Sequence, residues 1–169
     1  MAEKSTGIVS QFSKQNDGAK TCQIVTFRLG QEEYGVDIMK VQEIILLGDI
    51  TRVPEVPDFI EGIINLRGNV IPILDLRKRF KLGHAEKREE TRIIVINVNS
   101  KVVGVVVDAV SEVLRISLSE IDAPPTTIAG MGKEYLKGMI KLGKRLLIML
   151  DIDKILSQDE QKQTEVKAA

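Results

Sequence analysis

Residues 59–64 read Phe-Ile-Glu-Gly-Ile-Ile, and residues 135–140, at an offset of 76, read Tyr-Leu-Lys-Gly-Met-Ile. The same offset places a Leu-Asp-Leu at 74–76 opposite a Leu-Asp-Ile at 150–152. Closer to the N-terminus the offset is 69, and it relates three further pairs: Gly35 and Gly104, Val41 and Val110, Glu43 and Glu112. Shared glycines and acids in the same order predict an internal repeat rather than a chance match of apolar runs.

The segments between these matches are short, rich in valine and isoleucine, and separated by turn residues. β-Branched side chains favour strands, and closely spaced strands with glycine punctuation are typical of small barrels. Repeats of about 65 residues are too small to be very stable alone, so we expect them to bury apolar surface against each other. The sequence therefore predicts a mainly β fold of two small barrels, with a cleft at their seam.

The charge pattern suggests where the parts begin and end. Residues 1–20 are polar and small and predict a flexible N-terminal arm, and residues 157–169 predict a C-terminal helix end and tail. Between them we expect a single domain, 21–156, that a charged connector from Arg77 to Arg92 divides into two subdomains, about 21–85 and about 86–156. The change in offset predicts seven extra residues in the second repeat, around 123–132.

Helices should be few. The Asp75 carboxylate can cap a short helical turn over 76–80, because it can accept from free N–H groups one turn on. Asp151 or Asp153 can do the same for a last helix, from Lys154 to about Gln161, whose apolar face has i, i+3, i+4 spacing.

Composition excludes several function classes. The 24 basic and 24 acidic residues give a net charge of zero, which removes the electrostatic basis of non-specific nucleic-acid binding. A single cysteine, Cys22, and a single histidine, His84, cannot form a Cys/His zinc site or a disulfide framework. The apolar runs are too short to span a bilayer, and no signal peptide is legible, so we expect a cytosolic protein without a metal or cofactor.

The nucleophilic and carboxylate side chains are the candidates for catalysis. His84 lies in the charged connector without a neighbouring serine or cysteine motif, so no nucleophile–base pair is legible. Asp75 and Asp151 have capping explanations, while Asp37 and Asp108 lie at strand ends, where turn acids are ordinary. The sequence therefore predicts no enzyme.

Two basic segments invite other hypotheses. Residues 138–144 match the first seven positions of a phosphate-binding loop, but Arg145 stands where Ser or Thr must bind magnesium, and a strand follows rather than a helix. A phosphate-binding enzyme stays an alternative that titration with ATP would test. The basic run 77–81 is balanced by nearby glutamates and is interpreted as a solvated connector.

The remaining candidate residues indicate a surface suited to binding partner proteins. Residues 65–72 place an Arg-Gly-Asn turn, with Arg67 first, before an apolar strand, and such turns often present their arginine outward. Glu43 is an outward residue of an alternating strand, which alone indicates only a soluble edge.

At these residues the chain resembles the CheW family of chemotaxis adaptors. The resemblance runs from about residue 22 to 156, and the block from Asn-Leu-Arg-Gly to Pro-x-x-Asp-Leu is highly specific. The residues that carry it are 33–38 (Glu-Tyr-Gly-Val-Asp-Ile), 40–44 (Lys-Val-Gln-Glu-Ile), 51–54 (Thr-Arg-Val-Pro), 62–68 (Gly-Ile-Ile-Asn-Leu-Arg-Gly), 72–77 (Pro-Ile-Leu-Asp-Leu-Arg) and 103–108 (Val-Gly-Val-Val-Val-Asp).

The resemblance implies two five-stranded, Src-homology-3-like barrels on a shared hydrophobic core, with short helices including one at the C-terminus. It implies a non-enzymatic cytoplasmic adaptor that couples methyl-accepting chemoreceptors to the histidine kinase CheA and is recruited to membrane receptor arrays. Its partners would be the CheA regulatory domain, the cytoplasmic receptor tip and other copies in rings. The alternative within the family is a scaffold of a pili-based or second-messenger pathway.

The resemblance also implies binding residues, which it assigns to this chain by position. Gly104 was expected to let a partner approach closely, and Gly62 to serve backbone geometry inside its barrel. Receptor or kinase binding is expected at Val41, Glu43, Arg67, Gly104, Val110 and Val113, with Val70 and Ile71 as weaker candidates for a CheA contact.

Overall fold

The computed structural model describes residues 20–83, 86–124 and 135–156, so nearly all of the N-terminal arm, His84, most of the predicted insertion and the C-terminal tail lie outside it. The described residues form eleven strands, one short α-helix and three 3-10 turns. The strands are β1 (Thr21–Leu29), β2 (Glu32–Asp37), β3 (Val41–Leu46), β4 (Ile60–Leu66), β5 (Asn69–Asp75), β6 (Arg92–Val98), β7 (Lys101–Val107), β8 (Ala109–Ser117), β9 (Ile121–Asp122), β10 (Leu136–Leu142) and β11 (Arg145–Leu150). The α-helix is α1 (Leu76–Arg79), and the 3-10 turns are Ile38–Lys40, Leu118–Glu120 and Ile152–Lys154.

The strands form two sheets, as the sequence predicts. A six-stranded sheet has the order β8-β1-β2-β11-β10-β9, and a five-stranded sheet has the order β3-β6-β7-β5-β4. The short strand β9 is the addition to the expected five strands. Mainly β architecture with two sheets of comparable size is thereby confirmed.

The two sheets do not coincide with the sequence halves 21–85 and 86–156. β1 and β2 come from the first half but lie in the sheet built mostly from the second, and β6 and β7 make the reciprocal move. β1 pairs with β8, and β6 pairs with β3. β2 pairs in parallel with β11, and β7 pairs in parallel with β5. Each repeat thus gives its first hairpin to the other repeat's sheet.

The strand registers follow the repeat predicted from the sequence. Val41 on β3 is paired with Ile96 on β6, and the equivalent residues, Val110 on β8 and Phe27 on β1, are also paired. Both ladders shift register at the same place, next to Glu43 and next to Glu112. A second matched pair of bulges lies before Gly62 in β4 and before Gly138 in β10. Bulges re-aim side chains, so these matched irregularities give the two repeats similar local surfaces.

The core has three parts. A central cluster joins the two sheets, and its fully buried members include Phe27, Leu74, Ile94 and Val105. Each sheet also encloses a cluster of its own; the one in the five-stranded sheet contains Ile71, Ile73, Ile93, Val95 and Val106. Burial of aliphatic surface in the central cluster packs the two sheets against each other.

α1 lies between the two repeats. The Asp75 carboxylate accepts from the N–H groups of Arg77, at 2.9 Å, and Lys78, at 3.3 Å, which confirms the predicted cap. The Arg79 guanidinium carbon lies 4.5 Å from the centroid of the Phe59 ring and 5.2 Å from that of Tyr135. These two aromatic residues are repeat equivalents, so one cation links the repeats at matching positions.

Asp151, one of the two predicted caps, makes no capping hydrogen bond with its side chain. Ile152–Lys154 is a 3-10 turn, and no side-chain hydrogen bond caps it. The Asp153 carboxylate instead accepts from Lys40 Nζ at 2.9 Å and from the Asn99 N–H at 3.3 Å, because those donors lie on neighbouring elements. Residues beyond Leu156, where the last helix was expected, lie outside the described residues.

Candidate functional site

Glu43 and Arg67 form a two-pronged salt bridge. Arg67 Nη1 donates to Glu43 Oε2 at 2.7 Å, and Nη2 donates to Oε1 at 2.8 Å. Glu43 lies on the edge strand β3 and Arg67 follows the opposite edge strand β4, so the pair joins both edges of the five-stranded sheet. The hydrogen bonds from Arg67 hold the pKa of Glu43 below its usual value, and the pKa of Arg67 is raised in turn.

Arg67 occupies a costly backbone conformation. Its φ is 52° and that of Gly68 is 87°, as a tight two-residue turn between Leu66 and Asn69 requires. Side-chain-bearing residues other than Asn and Asp rarely adopt this conformation, and the equivalent position in the second repeat is Gly143, with φ 61°. The backbone of this turn suits glycine, yet the position holds Arg67, and 71% of its side chain is exposed. This suggests that the arginine has a role outside the fold.

Val41 and Val110 lie at the seam between the sheets. Each is half-buried and packs against the central cluster, and each pairs with a strand of the other sequence half. A partner bound at the seam can reach part of each side chain.

The other apolar residues predicted to bind a partner differ in how far their side chains are exposed to solvent. Val113 on β8 is 50% exposed and Val70 on β5 is 42% exposed, so both face solvent. Ile71 is only 5% exposed and belongs to the cluster inside the five-stranded sheet. Because neighbouring residues of a strand point to opposite faces, Ile71 supports the barrel while Val70 stays exposed to solvent.

Gly104 is surrounded by core side chains. It is buried in β7, and an added Cβ would stand 2.6 Å from Ile73 Cδ1 and 2.8 Å from Ile93 Cγ2, both inside the five-stranded sheet. The close approach it permits is therefore that of two core side chains. Gly62 has the structural role expected of it, since a Cβ there would collide with the Thr51 carbonyl oxygen in the segment that pairs with β4.

Three of the four carboxylates considered for catalysis, Asp37, Asp75 and Asp108, have a structural partner. Asp37 accepts from the Met39 N–H at 2.9 Å, and Asp108 binds Arg77 at 2.7 Å and the Gly30 N–H at 2.8 Å. Burial raises the pKa of Asp75 within its cap. Among residues 20–83, 86–124 and 135–156, no group of three or more His, Cys, Asp or Glu could hold a metal ion.

The structure does not support the phosphate-loop hypothesis for residues 138–144. Gly143 and Lys144 form the tight turn between β10 and β11, and Arg145 begins a strand. No helix N-terminus follows to bind phosphate. In the part of the chain that the structure describes, no helix is long and apolar enough to cross a membrane.

Sequence reasoning missed exposed apolar residues and a second arginine. Met39 is 83%, Leu46 71%, Leu146 42% and Ile44 40% exposed. Arg145 binds Glu33 at 2.7 Å and approaches Glu112 at 3.6 Å. The repeat itself was the available signal, because Glu112 is the equivalent of Glu43 and Arg145 lies in the equivalent hairpin.

Comparison with known proteins identifies the family. The family model described as CheW-like domain matches residues 23–160. The chain is 46% identical over 138 residues to "Chemotaxis protein CheW" of Klebsiella aerogenes, covering 82% of this chain and 83% of that protein. It is 41% identical over 142 residues to "Chemotaxis protein CheW" of Treponema pallidum, covering 82% and 84%.

A solved structure agrees with the sequence matches. The crystal structure of scaffolding protein TtCheW from Thermoanaerobacter tengcongensis superposes with a TM-score of 0.77 at 37% identity, covering 83% of this chain and 91% of that one. Both the sequence and the fold match over most of the length, so the chain belongs to the CheW family of non-enzymatic chemotaxis scaffold proteins.

Proposed function

We propose that this protein couples methyl-accepting chemoreceptors to the histidine kinase CheA, and that the surface around Glu43 and Arg67 binds the receptor. The observation that carries the proposal is the exposed two-pronged pair, built on a turn whose backbone favours glycine. The Arg67 guanidinium has five N–H donors, and its pair with Glu43 uses two of them, so it can also donate to an anionic group of a partner.

Three valines add apolar surface that suits a helical partner. Val41 and Val110 offer half-buried apolar surface at the seam, and Val113 offers an exposed aliphatic side chain on β8. An amphipathic helix has an apolar face for such valines and charged groups that the Glu43–Arg67 pair can bind, which would fix its register. The receptor tip is therefore the partner assigned to this side of the molecule.

The kinase binds elsewhere in this proposal. Val70 lies on the outward face of β5 and contributes to a contact with the CheA regulatory domain. Binding both partners at once raises their effective concentration, which increases kinase autophosphorylation without any chemistry by the adaptor. The protein acts in the cytoplasm at membrane receptor arrays, where further copies join it in rings.

The test compares two matched variants in membranes that contain a chemoreceptor, with purified CheA. Arg67→Asn removes the charge while keeping a residue that tolerates positive φ. Lys81→Asn is the control, because Lys81 is also exposed, basic and at φ 58°. We expect wild type and the control to stimulate CheA equally, and Arg67→Asn to weaken receptor co-sedimentation by roughly 5- to 150-fold, as for a central interface residue.

Melting temperature separates binding from folding. Arg67→Asn should melt at or above the wild-type temperature, since asparagine relieves the backbone cost of the turn. Normal receptor binding by Arg67→Asn would remove this surface from the proposal. A wild-type protein that leaves the CheA rate unchanged at saturating concentration would refute the coupling function itself.

A further inference from the structure

The two sequence halves, 21–85 and 86–156, share both sheets of the structure. Four strand pairings each join one strand of the first half to one strand of the second: β1 with β8, β3 with β6, β2 with β11 and β5 with β7. Each of the three hydrophobic clusters also contains buried side chains from both halves. Either half is therefore completed only by the other.

Ion pairs between the halves make this fit specific. Arg77 Nη2 lies 2.7 Å from Asp108 Oδ2, and Arg145 Nη2 lies 2.7 Å from Glu33 Oε2. Neither these pairs nor the strand pairings require that the two halves belong to one chain. The first half of one copy therefore offers the second half of another copy the same strands, apolar side chains and charges that it offers its own.

The chain passes from one half to the other through an exposed connector. Phe80 is half-buried and Thr91 is buried, but every described residue between them, 81–83 and 86–90, is exposed. Lys87 Nζ lies 3.4 Å from Glu61 Oε1, and 39% of the lysine side chain is exposed. An ion pair of this kind contributes little to stability. Rearrangement of the connector therefore uncovers no core surface in the described residues.

We call residues 81–83 the hinge, because the backbone there has a conformation that extension would relieve. Two of its three residues have positive φ, 58° at Lys81 and 84° at Gly83. Glycine adopts this conformation freely, whereas a lysine does so rarely. A short connecting segment under such strain favours the exchange of elements between copies of a chain.

We propose that two copies of this chain exchange halves about the hinge and form a domain-swapped dimer. In this dimer the first half of each copy completes both sheets with the second half of the other copy. Both resulting domains keep the contacts of the monomer, and only the connectors differ, which makes exchange a low-cost route to a dimer. The proposal is independent of the proposed function, because it requires neither receptor nor kinase.

The concentration of the protein sets the balance between monomer and swapped dimer. Two segments joined by a short flexible linker meet at an effective concentration in the mM range. At much lower protein concentrations each first half pairs with the second half of its own chain, and the monomer predominates. Refolding near about 1 mM should therefore produce swapped dimers in quantity.

A pair of cysteines across the two halves distinguishes a swapped dimer from other states. Thr21 on β1 is paired with Ser117 on β8, next to the hydrogen bond that the Leu118 N–H donates to the Lys20 carbonyl. Because hydrogen-bonded and non-hydrogen-bonded pairs alternate along antiparallel strands, Thr21 and Ser117 form the closer, non-hydrogen-bonded kind, which suits a disulfide. Thr21→Cys and Ser117→Cys, with Cys22→Ser, should crosslink within one chain in the monomer and between chains in the swapped dimer.

This variant is refolded from urea at about 10 µM and at about 1 mM, oxidised, and run on a denaturing gel without reductant. We expect single chains at the lower concentration and at least about fivefold more covalent dimer at the higher one. Deletion of the exposed residues 86–90 shortens the connector, so covalent dimers should then form at the lower concentration. Insertion of five Gly and Ser residues at the same place should leave the chain monomeric there.

A cysteine pair within one half is the matched control. Asn97→Cys and Val102→Cys, with Cys22→Ser, lie opposite each other across the hairpin of β6 and β7, so their disulfide stays within one chain in every state. An equal yield of covalent dimer from this control would overturn the assignment, because such crosslinks do not depend on exchange. Monomers alone at the higher concentration would also overturn it, as would dimers in light scattering whose disulfides join residues of one chain. If the deletion variant does not fold, the concentration series with the intact connector decides.

Discussion

Replacing Gly104 by alanine tests whether this residue packs a barrel or meets a partner. The added Cβ would stand 2.6 Å from Ile73 Cδ1 and 2.8 Å from Ile93 Cγ2, closer than real Cβ contacts. The Ile73 methyl can rotate away, but Ile93 Cγ2 is a branch methyl of a fully buried residue on the neighbouring strand. Relief therefore requires a shift of the backbone, and overpacking of this kind costs about 1–3 kcal/mol.

The equivalent glycine of the first repeat supplies a matched comparison. A Cβ at Gly35 would meet Met149 Sδ at 3.2 Å and Ile24 Cδ1 at 3.3 Å, both near the ends of side chains that can move. Methionine in particular adapts to small changes in shape. We expect Gly35→Ala to cost less than about 1 kcal/mol, within the usual range of mild core changes.

Urea unfolding measures both costs, and receptor co-sedimentation at low temperature measures binding where each variant is folded. For a protein of this size 1 kcal/mol corresponds to roughly 2–4 °C in Tm, so Gly104→Ala should melt about 2–12 °C below wild type. Its receptor affinity, measured on the folded protein, should equal that of wild type. A Gly104→Ala protein with wild-type stability and weakened binding would refute this reasoning and restore a partner contact at Gly104.

Two further substitutions probe the fold. Arg79→Ala removes the cation between Phe59 and Tyr135. It should lower the free energy of unfolding, measured in urea titrations, by about 1–2 kcal/mol. An unchanged free energy would mean that the packing of the two rings does not depend on this cation. Asp108→Asn should be less stable than wild type at pH 7: burial favours the neutral acid, but the hydrogen bonds from Arg77 and the backbone hold the pKa of Asp108 below its usual value. That stabilisation is complete above the unfolded-state pKa and is lost as pH falls through the lower folded-state pKa. The difference in stability between variant and wild type should therefore shrink from about pH 5 downward. A difference that stays constant with pH would contradict the assignment.

The repeat was predictable because its signals are local. Gly62 and Gly138 are required by crossing segments of chain, and the alternating apolar runs set which face of each strand is buried. Glu43 and Arg67 were chosen from the sequence as separate exposed residues. Their direct pairing was not expected, because it depends on curvature that brings the two edges of one sheet together.

The exchange of hairpins could not be predicted from the pattern. β1 has the same apolar alternation whether it pairs with β3 or with β8, so periodicity does not distinguish partners. The burial of Gly104 and Ile71 could not be predicted for a related reason. Whether a strand residue faces the core or the solvent is decided by register and bulges, which long-range pairing determines.

The exchanged hairpins have a consequence for biosynthesis. When residues 21–83 have left the ribosome, β1 and β2 lack β8 and β11, and β3 and β5 lack β6 and β7, so neither sheet can be assembled. Native structure must await most of the second half, and the many contacts between distant segments slow the final step. Until β11 emerges, aliphatic strands stay open to chaperones and to proteases. Limited proteolysis of ribosome-bound chains of increasing length should show protection that arises in one late step; protection of the first half on its own would contradict this order of assembly.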